Sequence, residues 1–199
     1  MLIKICGITI PETAIACLES GADFIGLVHY PPSPRHLAPR QMHEILDAVA
    51  PYNRKSVLVV VDQLPDESLV SRFSLLQSYG KTKHKAVVPA MHVVKSFDTY
   101  TRLLASPIET DDYYVLEMST GLLPGGNGTA WDWATAKAFC ERYRTFIAGG
   151  ISPENVAEVV GAADPFGIDV SSGVESSPGV KDMNKVNRLI ANVRRAAPT

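Results

Sequence analysis

Short apolar runs rich in β-branched residues alternate with helix-like stretches along the whole chain. The runs predict strands at Leu2–Cys6, Phe24–His29, Ser56–Val61, Val93–Ser96, Tyr113–Glu117, Thr145–Ala148 and Phe166–Val170, with a weaker one near Ser74–Gln77. Helical spacing falls between them, over 10–20, 39–50, 65–72, 98–106, 131–142, 153–161 and 182–196. Pro11 and Pro153 sit where a first helical turn tolerates a missing N–H, the latter behind Ser152 as N-cap. Gly21 and Gly161 occupy stop positions. Near-continuous apolar strands separated by helices predict a parallel sheet covered by helices. Eight strand candidates, most followed by a helix, suggest an α/β fold of the (β/α)8 TIM-barrel kind. An open doubly wound sheet fits the same periodicity. No linker, low-complexity tract or charge block divides the chain, so 1–199 reads as a single domain.

Composition narrows the class of partner. The 199 residues carry 19 Lys+Arg against 21 Asp+Glu, a formal net charge of −2, with 46% hydrophobic and 20% charged residues. That balance argues against nucleic acid or an anionic membrane held by bulk charge, and for a small ligand held by a few placed groups. A chain this long buries roughly 70% of its unfolded surface and needs no staple. Cys6, Cys17 and Cys140 are odd in number and lack CxxC spacing, which speaks against a disulfide framework or a zinc site. No run reaches the ~18 apolar residues of a membrane span. The first residues read as a buried strand, not as a signal peptide. The expected setting is reducing and cytoplasmic.

In either architecture ligands bind at the carboxyl ends of the strands, and the unusual residues cluster there. Cys6-Gly7 follows the first strand and Ser33-Pro34-Arg35 the second. Glu117 ends the sixth, and Gly125-Gly126-Asn127-Gly128 lies beyond it. Gly149-Gly150 follows the seventh, while Asp169 and Ser171-Ser172-Gly173 close the eighth. Glycines let backbone N–H groups approach an anion, and the loops after strands seven and eight are a frequent phosphate site in such barrels. Simple turn chemistry accounts for the same glycines and serines taken singly. Cys6 is either an inert buried cysteine or, at the mouth of the site with a lowered pKa, a base or nucleophile. Arg35 is either a solvated loop cation or a fork for a carboxylate. Glu117 and Asp169 are inward strand-end carboxylates, suited to acid catalysis or to a structural ion pair. Five histidines (29, 36, 43, 84 and 92) show no metal-ligand spacing, and no metal is expected.

Several of these segments resemble phosphoribosylanthranilate isomerases, enzymes of tryptophan biosynthesis. The likeness is carried by Lys4-Ile5-Cys6-Gly7-Ile8-Thr9, Gly21-Ala22-Asp23, Ser33-Pro34-Arg35 and Gly125-Gly126-Asn127-Gly128 with Trp131-Asp132-Trp133. It continues through Ala148-Gly149-Gly150-Ile151-Ser152-Pro153-Glu154-Asn155-Val156, Asp169-Val170-Ser171-Ser172-Gly173-Val174-Glu175, Pro178-Gly179 and Lys181-Asp182. The resemblance implies a (β/α)8 barrel performing an Amadori rearrangement of N-(5'-phosphoribosyl)anthranilate without a cofactor. It implies Cys6 as the general base at the sugar C2 and Glu117 as the general acid that opens the ring. It further implies Arg35 on the anthranilate carboxylate, Asp169 ordering the sugar, and Gly149, Gly150, Ser172 and Gly173 around the phosphate. The partner is then a small phosphorylated substrate, and the enzyme a monomer or homodimer. The chain departs from the family pattern at three places. Glu117 stands where the family has aspartate. Gln77-Ser78-Tyr79-Gly80 keeps only the ends of a QLHG segment, with Tyr79 in place of histidine. His29 replaces an aromatic residue. These departures leave two alternatives, a paralogue acting on another phosphosugar and a non-catalytic phosphate-binding barrel. The chain is also short beside the roughly 250 residues usual for such barrels, and the economy falls at 74–90, predicting a shortened or irregular fourth βα unit.

Overall fold

Residues 1–52, 55–79, 88–106, 111–118 and 130–197 are described by a computed structural model. Its strands are β1 (Leu2–Cys6), β2 (Phe24–His29), β3 (Lys55–Val61), β4 (Leu75–Tyr79), β5 (Ala90–Val94), β6 (Tyr113–Leu116), β7 (Arg144–Ile147) and β8 (Gly167–Val170). All eight are parallel and close into one barrel. Leu2 of β1 pairs with Gly167 of β8 and Cys6 of β1 with Gly26 of β2, so no edge remains and the doubly wound alternative is excluded. Helices α1 (Pro11–Glu19), α2 (Pro39–Val49), α3 (Glu67–Val70), α4 (Phe97–Ala105), α5 (Lys137–Cys140), α6 (Val156–Ala163) and α7 (Met183–Ala196) lie between or after the strands. A hairpin of β9 (Glu175–Ser177) and β10 (Val180–Lys181) precedes α7.

Successive side chains on a strand face opposite sides, which in a closed barrel means the helix layer or the lumen. Ile3, Ile5, Ile25, Leu27, Leu58, Leu116 and Ile168 face outward and pack with Cys17, Met42, Ile45, Val159 and Leu189 of the helices. Phe24, Val57, Val59, Leu75, Met91, Val115 and Phe146 fill the lumen. Phe24, Tyr113 and Phe146 form an edge-to-face cluster with centroids 5.5–6.0 Å apart near the strand starts. Gly167 leaves room for it: a Cβ there would lie 2.4 Å from Phe146 Cε1. The same alternation brings Lys4 and Cys6 of β1, Gln77 and Tyr79 of β4, Glu117 just past β6 and Asp169 of β8 to the inner side.

Several element limits differ from the sequence expectation, each for a local reason. The weak fourth strand runs on to Tyr79, because pairing with β3 extends to Val61↔Tyr79. β5 begins at Ala90, and Ser96, expected as strand, instead caps α4 by accepting from Thr99 N–H at 3.2 Å. The expected helix over 65–72 contracts to one turn, and 131–142 becomes a 3-10 turn, Trp133–Ala136, leading into α5. Ser152–Asn155 forms a turn in which Ser152 N–H donates to Asn155 Oδ1 at 2.8 Å, so α6 starts only at Val156. Gly161 lies inside that helix, and Asp164, at φ 44°, is its left-handed stop. Only residues 80–89 connect β4 to β5. Of these 80–87, like the Gly125–Gly128 segment, lie outside the described residues.

Candidate active site

A pocket of about 740 Å³, open solvent at its mouth included, occupies the carboxyl ends of the strands. Its walls bring together Cys6, Arg35, Glu117, Asp169, Gly149, Gly150 and Ser172 of the expected site residues. Gly173 stays behind the wall: a Cβ there would lie 1.9 Å from Ile151 O, so glycine at this position lets the β8 loop press against the β7 loop.

β1 contributes two inward residues one pleat apart. Lys4 is completely buried and donates to Asp169 Oδ2 at 2.8 Å, a contact across the β1–β8 seam. Burial pulls the Lys4 ammonium down, but Asp169 and then Cys6 more than offset this, and its pKa ends above the ordinary lysine value. A lysine held charged in the lumen therefore lies against the Cys6 thiol. Burial pushes that thiol up, against the opposing pull of Lys4, with Asp169 acting in the same direction as burial and Lys181 against it. The lowered thiol pKa that catalysis at Cys6 was expected to need is thus reversed here, because desolvation outweighs the neighbouring lysine. Gly26 opposite Cys6 makes space for Sγ, since a Cβ would stand 2.7 Å from it. Gly26→Ala should cost about 1–3 kcal/mol in denaturant unfolding, the usual range for forcing an extra methyl into a packed core.

Glu117 is 2% exposed and its backbone N–H donates to Val94 O at 3.0 Å. Tyr79 donates its hydroxyl to Glu117 Oε2 at 3.1 Å and accepts from Gln77 Nε2 at 2.9 Å. Burial, and then the Glu117 charge, hold the Tyr79 phenol well above the ordinary tyrosine value, so the hydroxyl stays a donor. Lys95 lies over the same ring, 5.8 Å from its centroid. Tyr79 is a strand residue facing the lumen, not a loop residue, and two of the three departures from the family pattern are in direct contact.

Arg35 is buried, and its fork does grip a carboxylate, that of Glu175. Nε donates to Oε1 at 2.8 Å and Nη2 to Oε2 at 2.7 Å. Lys181 Nζ donates to the same Oε1 at 2.7 Å. Desolvation works to raise the Glu175 carboxyl, but the Arg35 hydrogen bonds and the Lys181 charge prevail and hold it below the usual glutamate value. Nε and Nη2 are engaged on Glu175, and Nη1 makes no hydrogen bond among the described residues. Gly7, at φ +75°, lets the arginine cross: a Cβ would lie 2.3 Å from Arg35 Cδ.

The wall opposite is backbone. Gly149 and Gly150 have φ of 91° and 68°, a conformation that suits glycine. Asn155 Nδ2 braces the loop on Gly150 O at 2.9 Å. Ser171, followed by a 3-10 turn over Ser172–Val174, is fastened by Lys181 Nζ on its carbonyl at 3.1 Å. Such a pair of loops offers donors to an anion.

Four residues of consequence escape the sequence reading: Lys4 and Gln77, buried polar groups on lumen-facing positions, Glu175, and Tyr30, which lines the pocket. Inward parity on β1 and β4 was the available signal for the first two. His29 does not line the pocket; its Nδ1 lies 3.1 Å from Leu37 O. Among the described residues no group of three His, Cys, Asp or Glu side chains is placed to hold a metal, and no helix is long and apolar enough to cross a membrane.

Comparison with known proteins gives a consistent picture. A family model described as N-(5'-phosphoribosyl)anthranilate (PRA) isomerase matches residues 3–192. An N-(5'-phosphoribosyl)anthranilate isomerase of Desulfatibacillum aliphaticivorans is 38% identical over 96% of this chain and 91% of its own length. The crystal structure of phosphoribosyl anthranilate isomerase from Thermus thermophilus superposes with a TM-score of 0.81 at 32% identity, covering 98% of this chain and 99% of that one. A phosphoribosyl anthranilate isomerase in complex with reduced 1-(o-carboxyphenylamino)-1-deoxyribulose 5-phosphate gives a TM-score of 0.77 at 28% identity, over 98% of this chain and all of its own.

Proposed function

The chain belongs to the N-(5'-phosphoribosyl)anthranilate isomerase family, and from that premise we propose that it carries out the Amadori rearrangement of N-(5'-phosphoribosyl)anthranilate to 1-(2-carboxyphenylamino)-1-deoxyribulose 5-phosphate in tryptophan biosynthesis. The observation that carries the reading is a thiol and a carboxyl, Cys6 and Glu117, on one pocket whose far wall is the Gly149-Gly150 and Ser171-Ser172 loops. Glu117 gives a proton to the ring oxygen of the sugar. The C1–O bond breaks, and the anilino nitrogen lone pair forms a C1=N bond. The Cys6 thiolate takes the C2 proton, and the electrons of that bond make C1=C2 and neutralise the nitrogen. The resulting enol-amine tautomerises to the ketone. Acid and base must act at adjacent bonds, which is why they need one pocket and two strands. A thiol whose pKa is raised gives fewer thiolates at neutral pH, but each is a stronger base.

The remaining walls fit the ends of this substrate. Asp169 Oδ1 is buried with no hydrogen-bond partner among the described residues, and a sugar hydroxyl satisfies it. Arg35 Nη1 meets the anthranilate carboxylate. Gly149, Gly150, Ser172 and, from behind, Gly173 hold the phosphate. The acting unit is one barrel domain over 1–199, as a monomer or homodimer, in the cytoplasm, in keeping with three free cysteines.

The test is turnover of freshly prepared substrate, followed by loss of its fluorescence, together with complementation of a tryptophan auxotroph lacking this step. Because folding raises the Cys6 pKa, the rate of Cys6 alkylation should climb with pH along a limb lying above the ordinary thiol value of about 8.5. Binding of a phosphate analogue without isomerisation would instead favour a paralogue acting on another phosphosugar.

A further inference from the structure

A carboxyl that delivers a proton must present one chosen oxygen, in a fixed direction, at the moment the ring opens. A longer side chain makes that harder, because glutamate has one more rotatable bond than aspartate. In this barrel the end of β6 supplies the carboxyl and the end of β4 supplies what constrains it. We propose that Tyr79 is a positioning residue for Glu117: its hydroxyl, oriented by Gln77, donates to Glu117 Oε2 and so holds the carboxyl in one orientation toward the pocket. This rests on the reading of Glu117 as the general acid.

The direction of the relay follows from its donors. An amide nitrogen only donates, so Gln77 Nε2 at 2.9 Å from the phenol makes the Tyr79 oxygen an acceptor on that side. The Tyr79 proton is then directed to Glu117 Oε2, 3.1 Å away. That bond fixes the Oε2 side of the carboxyl and with it the direction in which the acid group is presented. Gln77 is buried and its Oε1 has no hydrogen-bond partner among the described residues. An orphaned buried oxygen carries a stability penalty, so this residue is held in the core at a cost that the relay accounts for. The two positions also sit on lumen-facing sites of β4 two residues apart, so one strand fixes donor and orienter in register.

Around the Tyr79 phenol stand the charged and titratable groups Glu117, Asp169 and Cys6, with Lys95 over its ring.

The experiment uses the full chain with Tyr79→Phe, Gln77→Met, Glu117→Asp and Glu117→Gln. Tyr79→Phe is expected to lower kcat between about 10- and 100-fold, the scale of a misplaced catalytic group, with KM near that of the parent. Tyr79→Phe added to Glu117→Asp should cost little more, since the shorter carboxyl no longer reaches the phenol. Gln77→Met removes the orienting donor together with the orphaned oxygen, so it folds and should show a smaller effect of the same sign. It decides the matter if Tyr79→Phe does not fold. Parental kcat in Tyr79→Phe or, failing that, in Gln77→Met, alongside an inactive Glu117→Gln, overturns the positioning role. Full turnover by Glu117→Gln overturns the acid assignment beneath it.

Discussion

Cys6→Ala should lower kcat by about 1,000-fold, within the range that a single general acid or base supplies, while leaving the melting transition close to that of the parent. The loss is chemical because Sγ is the only atom removed, and Gly26 rather than a bulky side chain lies opposite it. Cys6→Ser should be as inactive as alanine, since a hydroxyl in this pocket stays protonated. KM should change little, because substrate grip is assigned to Arg35, Asp169 and the two glycine-bearing loops. Alkylation offers an independent check. Carboxymethylation of Cys6 should follow the raised thiol limb, because the thiolate is the species alkylated. A Cys6→Ala enzyme turning over at the parental rate would falsify the assignment of the base.

The largest structural effect is expected at a residue that touches no substrate. Glu175→Ala leaves the buried Arg35 and Lys181 cations facing each other without the carboxylate that joins them. Stranding one partner of a buried pair costs about 3–5 kcal/mol, which for a chain of this length is a fall in Tm on the order of 10 °C. Arg35 should also lose its orientation, so KM rises together with the loss of stability. The pH dependence carries a further mark. The Glu175 carboxyl is held below its usual value, so its contribution is complete above the ordinary glutamate range and is lost as pH falls through the depressed pKa. Acid unfolding should therefore begin earlier in Glu175→Ala, and its stability should vary less with pH in that range. An unchanged Tm for Glu175→Ala would refute this account of the triad.

Much of this was legible along the chain, for reasons that are themselves physical. β1 and β2 could be read to the residue because mostly apolar runs, broken only by Lys4 in the first and closed by His29 in the second, fit a strand buried on both faces. Cys6, Asp169 and the Gly149-Gly150 turn were found because they stand where apolar runs stop. Strand four was read short because its lumen face turns polar near the mouth: Gln77 and Tyr79 interrupt the apolar pattern that marks a strand, for the reason that they serve Glu117. The Arg35–Glu175 grip spans 140 residues, and no periodicity reports a pairing of that separation. Lys4 was passed over as one charge in a strand, although its parity with Cys6 pointed inward. The delayed start of α6 lies in a Ser-Pro-Glu-Asn turn whose side chains mimic helix capping while closing a tighter loop.

The Lys4–Asp169 bond joins residues 165 apart in sequence and lies on the seam where the first strand meets the last. The proposed base, Cys6, ends the first strand, and the proposed acid, Glu117, stands just past the sixth. Neither belongs to a working centre until the eighth strand arrives and locks against the first. Catalytic competence is thus tied to ring closure, and a partly made chain displays the reactive groups of the enzyme without the geometry that gives them their chemistry.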